Sequence, residues 1–128
     1  MRRSKIMMAC WIVVAVFLGS CDRSPEGNLD EALKFAQIAR EAAPEEPNVG
    51  DTLGWVYYKK GLIENAYPLI ADAAGKSKNN ASVRYHHGMV LAKKGKNKEA
   101  VAELKAALSL DPNFLGADEA KKTLEALK

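Results

Sequence analysis

The residues of this chain that could do chemistry are two histidines and two cysteines, types that bind metals or act as bases and nucleophiles. They are His86, His87, Cys10 and Cys21. Neighbouring helical residues point about 100° apart, so the two histidines cannot share one metal ion. We expect His87 to be a core histidine with a hydrogen bond. The sequence has no glycine-rich phosphate loop, no Ser-His-Asp arrangement and no Cys-x-x-Cys motif, and it predicts no catalytic residue, no metal site and no cofactor.

The net charge of +3 is concentrated at one end of the chain. Arg2, Arg3 and Lys5 precede an apolar stretch, and without them 16 basic residues face 16 acidic ones. The remainder therefore lacks the excess of positive charge that binds phosphates, and we expect no nucleic-acid partner. With 128 residues, 48% of them hydrophobic, the chain is long enough for one small domain.

The N-terminus is predicted to be a targeting signal. Met1–Lys5 is basic, and Ile6–Leu18 is an apolar run of 13 residues, shorter than the ~20 that a membrane-spanning helix needs. The following Leu18-Gly19-Ser20-Cys21 resembles a bacterial lipobox. That resemblance implies cleavage before Cys21, lipid attachment to its sulfur, and a place in the bacterial cell envelope on a membrane, facing the periplasm or the exterior. The alternative is an uncleaved anchor with a free Cys21.

The rest of the chain repeats itself every 34 residues. Small residues recur at that spacing in three sets, namely Gly27, Gly61 and Gly95, then Ala32, Ala66 and Ala100, then Ala39, Ala73 and Ala107. Apolar residues recur three and four positions apart, which indicates helices, and no segment alternates as a strand does. The predicted helices are Asn48–Lys60, Glu64–Gly75, Ala81–Lys94, Asn97–Leu110 and Leu115–Leu127. Because Pro68 lacks a backbone donor, we expect its helix to start late or distorted.

At these positions the chain resembles the tetratricopeptide repeat family. One repeat matches the family pattern at Leu53-Gly54-Trp55-Val56-Tyr57, Gly61, Ala66 and Ala73, and the next at Gly88, Leu91, Gly95, Ala100, Ala107 and Pro112. The resemblance implies an all-α fold, an antiparallel helix-turn-helix solenoid with a C-terminal capping helix. The predicted divisions are a signal peptide 1–20, a tether 21–26, and a domain 27–128 made of half repeat 27–46, repeats 47–80 and 81–114, and capping helix 115–128.

In that family the first helices of successive repeats line a concave groove that holds a partner segment. Carried onto this sequence, the groove residues are Asn48, Asp51, Trp55, Tyr58, Lys59, Ser82, Tyr85, Met89 and Lys93. The first four are spaced three and four residues apart, as one helix face requires. Aromatic residues and methionine are enriched at protein interfaces, which favours a binding surface. The alternative is that Trp55 and Tyr58 pack within the stack.

These observations lead us to expect a non-enzymatic interaction module, held to a membrane through Cys21, that binds a protein or peptide of the envelope. A second hypothesis is a self-associating tether, a homo-oligomer, because half repeat 27–46 lacks the helix that usually precedes it. A third is an accessory protein of exopolysaccharide, exosortase or pilus assembly machinery. Asp51–Trp55 and Arg84–His86 resemble the last repeats of exosortase-associated members of the family. An enzyme would need a pocket that we cannot assemble from these residues.

Overall fold

The computed structural model describes residues 25–128, with side chains from residue 28 onward. The predicted signal peptide and Cys21 lie outside the described residues. Within the described part the chain forms helices and no strand. They are α1 Pro25–Ala42, α2 Pro47–Lys59, α3 Ile63–Lys76, α4 Ala81–Lys93, α5 Asn97–Leu110 and α6 Ala117–Ala126. No helix in this range combines the length and the apolarity that crossing a membrane requires.

The helices from α2 onward end within two residues of the predicted positions, because turn residues separate them as expected. Gly61 and Gly95 follow α2 and α4 with φ of +78° and +77°, a backbone conformation that glycine adopts without strain. The N–H of Leu62 then donates to the carbonyl of Tyr57 at 2.9 Å, which satisfies a carbonyl that the end of α2 leaves open. Each turn therefore reverses the chain and pairs α2 with α3 and α4 with α5.

Pro68 is tolerated within α3, which begins at Ile63 and continues to Lys76. The predicted late start of this helix is therefore wrong. Proline in a helix interior removes a hydrogen bond and costs roughly 3 kcal/mol. Ala66 and Ile70, on the packed face of the same helix, are 0% exposed, while Pro68 itself is exposed. Burial of that face against α2 and α4 holds the helix together despite the missing donor.

The two helices of each pair approach closely at a glycine. A Cβ at Gly54 would lie 2.5 Å from Cγ1 of Ile70, and one at Gly88 would lie 2.7 Å from Cγ of Leu104. Both distances are shorter than side chains accept, so these positions have room for glycine alone. Ile70 and Leu104 are 0% exposed. The α2–α3 and α4–α5 pairs are thus built in the same way around a buried branched side chain.

Successive pairs stack through α4, which packs against α2, α3, α5 and α6 and is buried on most of its circumference. Val83, Val90 and Leu91 are at most 1% exposed. A matching ion pair also joins each pair to the preceding helix. Lys60 binds Asp30 of α1, and Lys94 binds Glu64 of α3 at 2.7 Å. The second pair lies 34 residues after the first, as the sequence repeat requires.

The stack closes at its C-terminal end with α6, as predicted for a capping helix. Gly116, with φ of +107°, turns the chain into α6, and a Cβ there would meet the ring of Tyr85 at 2.8 Å. Ala117 and Ala120 are buried against α4 and α5 together with Phe114. The small residues allow α6 to lie close to α4, so that side chains of α4 are buried beneath it.

Candidate partner-binding face

The helices α2, α4 and α6 lie side by side and form one face of the stack, here called the even-helix face. Contacts between residues 34 positions apart define it. The hydroxyl of Tyr85 donates to Glu119 at 2.6 Å, and the hydroxyl of Thr123 lies 3.5 Å from the sulfur of Met89. On this face, equivalent positions of successive even-numbered helices are neighbours. The predicted groove residues lie on α2 and α4, so this face corresponds to the predicted groove.

Three rings form a stack at the centre of the even-helix face. The ring centroids of Trp55 and Tyr58 are 4.5 Å apart with planes 4° from parallel, and those of Trp55 and His86 are 4.0 Å apart at 21°. Lys59 places its Nζ 4.9 Å from the centroid of Trp55, a cation–π contact. Tyr58 and Trp55 are half-buried, so they both pack against α4 and reach the surface. We call Tyr58, Trp55 and His86 the Trp55 stack.

Asp51 holds the Trp55 stack in place. Its carboxylate oxygens lie 2.9 and 2.8 Å from Nδ1 of His86, which fits an Nδ1–H that donates to the carboxylate. Asp51 is only 6% exposed, and a buried carboxylate needs such a partner because leaving it unpaired is costly. The bond joins α2 to α4 and fixes the imidazole ring against Trp55. Asp51 therefore supports the face from behind and does not present its carboxylate to a partner.

The contact of His86 with Asp51 was not predicted. From the sequence, His86 was expected to share no metal ion with His87, its neighbour along the chain. The signal that would have found the contact is the repeat itself. Asp51 and His86 are 35 residues apart, one more than the period, which places them on neighbouring even-numbered helices.

Tyr85 and Met89, both expected in an open groove, are 3% and 6% exposed. The ring of Tyr85 packs against Phe114 with centroids 5.3 Å apart, and its hydroxyl is bonded to Glu119. Burial, the bond to Glu119 and the charge of that carboxylate all raise the pKa of Tyr85. The cause of the burial is α6, whose small residues let it settle over both side chains. These two residues are therefore core, and the predicted groove is covered along α4.

The remaining predicted residues lie away from the Trp55 stack. Asn48, near the start of α2, lines a shallow cavity of about 430 Å³ with the loop 75–80, and Ser82 lines one of about 330 Å³ with residues 110, 111 and 114. Both cavities lie at the loops between helix pairs. Lys93 is exposed at the end of α4, in the position equivalent to Lys59. The structure thus gathers Trp55, Tyr58 and Lys59 and separates Asn48 and Ser82 from them.

His87 lies apart from this face, where α4 meets α5. Its Nδ1 is buried and has no hydrogen-bond partner among the described residues, and Oε2 of Glu103 is 3.7 Å away. Burial lowers the pKa of His87 from its ordinary 6.5, although the charge of Glu103 opposes that shift. The Nδ1 atom therefore lacks the hydrogen bond that was expected of His87. Between residues 25 and 128, no three metal-ligating side chains come together.

Comparison with known proteins identifies the architecture. Residues 81–114, which span α4, its turn and α5, match the family model described as tetratricopeptide repeat. No curated protein matches the chain. Among solved structures, MamA AMB-1 aligns with a TM-score of 0.63 and 25% identity over 80% of this chain. The chain folds as a tetratricopeptide repeat solenoid. It spans 54% of the MamA chain.

Two further structures share this solenoid fold. The Yersinia enterocolitica type III secretion translocator chaperone SycD aligns at a TM-score of 0.66 and 21% identity, over 80% of this chain and 73% of its own. PcrH, in complex with the chaperone binding region of PopD, aligns at 0.65 and 19%, over 91% of this chain and 90% of its own. At these identities the likeness is one of fold. In the tetratricopeptide solenoid, the even-helix face is the side formed by the first helix of each repeat.

Proposed function

We propose that the protein is a non-enzymatic interaction module that binds a segment of a partner protein on the even-helix face, lipid-anchored in the bacterial cell envelope through Cys21. The observation that carries the binding proposal is the Trp55 stack, which places two half-exposed aromatic side chains and the exposed Lys59 side by side. Large aromatic side chains held rigidly at a surface supply much contact area at little entropic cost.

The chemistry of the face indicates what kind of segment it would bind. An apolar or aromatic side chain of the partner would pack on Trp55 and Tyr58, where the rings are already ordered by Asp51 and His86. Lys59 and Lys93 are exposed and lie at the C-terminal ends of α2 and α4. A carboxylate of the partner would pair with one of them. We therefore expect a short segment that carries an apolar anchor next to an acidic residue.

Two structures of the same fold contain a bound segment of another protein. PcrH was solved with the chaperone binding region of PopD, and SycD with a peptide of the translocator YopD. These complexes support peptide binding by a solenoid of this size. The non-enzymatic part of the proposal rests on the same likeness, since SycD is described as a chaperone.

The anchoring half of the proposal depends on residues 1–21. The basic residues, the apolar run and Leu18-Gly19-Ser20-Cys21 together resemble the signal of a bacterial lipoprotein. A lipid on Cys21 would leave only a few residues before α1 begins at Pro25. The solenoid would then sit close to the membrane, where its partner would be another envelope protein.

Site-specific photo-crosslinking in the host membrane tests the binding face. A photoreactive amino acid is placed at position 58 of the full-length chain, and at position 67 as the control. Tyr67 is also a half-buried tyrosine with a lysine over its ring, but it lies on α3, away from the even-helix face. We expect an adduct to a second protein from position 58 and none of the same mass from position 67.

The Trp55→Ala change should weaken that adduct, while Tyr67→Ala should leave it unchanged, with helicity checked by circular dichroism for both. Tyr85 is left intact because it is a core residue. Equal adducts from both positions, or an adduct at position 58 that ignores Trp55→Ala, would remove the even-helix face as the binding site.

Metabolic labelling with a radioactive fatty acid tests the anchor. Cys21→Ser should abolish labelling and release the protein from the membrane fraction, because Cys21 is the predicted attachment site. Cys10→Ser is the matched control, since Cys10 lies in the segment predicted to be cleaved off. Labelling that persists in Cys21→Ser, or is lost in Cys10→Ser, would contradict the lipoprotein assignment and leave the binding face untouched.

A further inference from the structure

The outer side of α1 is more exposed than the repeat pattern requires. Ala39, Ala73 and Ala107 occupy equivalent positions of three helices. Ala73 and Ala107 are 1% and 0% exposed, whereas Ala39 is exposed. The difference arises because α3 and α5 are each packed on both sides, while α1 packs mainly against α2 among the described helices.

Apolar residues continue along that open side of α1. Phe35, Ile38, Ala39 and Ala42 follow one another at spacings of three, one and three residues, which places them on one face of a helix. Ile38 is 61% exposed, and Ala42 is exposed as well. A stripe at this spacing is the pattern by which one helix packs lengthwise against another. We call these four residues the α1 stripe.

The opposite end of the solenoid differs in chemistry. The residues of α6 that face away from the stack include Lys121, Lys122 and Glu125, all exposed and charged. Lys122 occupies the position of Gly54 and Gly88, where close contact with a further helix would need a small residue. The charged outer side of α6 therefore matches the α1 stripe poorly, which disfavours head-to-tail stacking.

The charges beside the α1 stripe indicate its occupant. Lys34 and Glu41 are seven residues apart, so they lie on the same flank of the stripe, next to Ile38. Both are exposed, and neither lies within 4.0 Å of an oppositely charged side chain that the structure describes, although, besides the hydrogen bond from Lys60, the charge of Lys34 helps to lower the pKa of Asp30. In an antiparallel helix pair related by a twofold axis, equivalent flanks face each other. Lys34 then lies opposite Glu41 of the partner subunit, and this pairing occurs twice.

We propose that the α1 stripe is a homodimer interface, in which two copies pair their α1 helices antiparallel about Ile38. A parallel pair would place Lys34 near Ala39 of the partner subunit and would leave the charges unmatched. The 18 residues of α1 span about 27 Å. A single helix pair of this length buries less than the ~1,600 Å² of a standard interface, so the dimer should dissociate on dilution.

Sedimentation equilibrium of the full-length chain in density-matched detergent tests the interface, with protein concentration as the variable. We expect a monomer–dimer equilibrium for the wild type. Lys34→Glu and Glu41→Lys should each raise the dissociation constant about tenfold, because each replaces two attractions by two repulsions. The double change Lys34→Glu/Glu41→Lys restores both pairs and should return the constant to its wild-type value.

Two further variants complete the test. Ile38→Asp should give a monomer at all concentrations, and because Ile38 is exposed its helicity should stay unchanged. Lys122→Glu, at the polar end of the stack, should leave the equilibrium as it is. A monomeric wild type overturns the proposal.

A dimer that ignores Ile38→Asp, or one that the double charge exchange fails to restore, also overturns it. The interface is independent of partner binding on the even-helix face. Adducts from position 58 should therefore form equally in Ile38→Asp, so that failure of either proposal is recognisable separately.

Discussion

The α2–α3 pair and the α4–α5 pair follow one sequence pattern, yet they use equivalent positions differently. Trp55 on α2 is half-buried and reaches the surface, while Met89, its counterpart on α4, is 6% exposed. Leu53 is a buried apolar residue of the first pair, and its counterpart His87 has a buried Nδ1 without a partner. Whether a side chain is buried or exposed therefore depends on the position of its repeat in the stack as much as on the sequence of the repeat.

The physical cause is the number of neighbours. α4 lies between α2 and α6 on one side and α3 and α5 on the other, so few of its positions reach solvent. On the even-helix face, α2 has α4 as a neighbour on one side. On its other side it has α1, and the structure describes no helix beyond α1. A partner can therefore reach the aromatic residues of α2, whereas those of α4 stabilise the fold. This contrast predicts unequal effects of substitution in the two pairs.

The largest effect should come from the aromatic residues that separate the two pairs. Tyr85→Ala removes a buried ring that packs under α6, and we expect a loss of about 3–5 kcal/mol in the free energy of unfolding. Tyr58→Ala removes a half-buried ring and should cost about 1 kcal/mol. Urea denaturation followed by circular dichroism measures both. Equal losses would contradict the assignment of Tyr85 to the core and Tyr58 to the surface.

The close helix contacts should behave alike in both pairs. Gly54→Val and Gly88→Val each force atoms into Ile70 or Leu104, and we expect each to lose about 2–3 kcal/mol in the free energy of unfolding. Gly75 is the matched control, because it is helical and a Cβ there meets nothing within 4 Å. Gly75→Ala should gain about 0.5–1 kcal/mol from helix propensity. If Gly75→Ala lowered the free energy of unfolding, the losses in Gly54→Val and Gly88→Val would reflect the replacement of a helical glycine in general and not the close helix contacts.

A smaller effect is expected where the second pair departs from the first at His87. His87→Leu copies Leu53 and removes the unpartnered Nδ1, so the free energy of unfolding at neutral pH should rise by about 1 kcal/mol. Thermal or urea unfolding of the two proteins in parallel measures the gain. A decrease in stability would show that the interaction of His87 with Glu103 outweighs the cost of burial.

The same variant should change the pH dependence of stability. Burial lowers the pKa of His87 in the folded protein, so the unfolded chain binds a proton that the folded chain does not. The free energy of unfolding therefore falls as the pH drops from about 6.5 towards the lowered pKa of His87 in the folded protein, because proton binding favours the unfolded chain. Between about pH 7.5 and pH 5, wild type should lose more stability than His87→Leu. Parallel curves would contradict this role for His87.

The smallest effect is expected at the repeated ion pairs. Lys60–Asp30 and Lys94–Glu64 occupy equivalent places and involve exposed carboxylates, so Lys60→Gln and Lys94→Gln should each cost at most about 0.5 kcal/mol in stability. Added salt should reduce the wild-type advantage in both cases. A loss several times larger in one variant would show that this ion pair also sets how its helices stack.

Most of the fold could be predicted from the sequence because the repeat is local. Gly61 and Gly95 end their helices through a local backbone conformation. Gly54 and Gly88 indicate close helix contacts because they lack a side chain. Pro68 was misjudged because its local cost is offset by packing that involves α2 and α4. The candidate site was predicted less completely, because exposure depends on helices distant in sequence.

The amino-acid sequence alone predicts the helix bounds from α2 onward, the pairing of helices and the positions that recur every 34 residues. These follow from backbone conformations and spacings that neighbouring residues set. Three features depend on how distant helices pack: Asp51 binds His86, α6 buries Tyr85 and Met89, and Trp55 and Tyr58 reach the surface. The burial of a side chain depends on all of its neighbours in space, and many of these neighbours belong to other repeats.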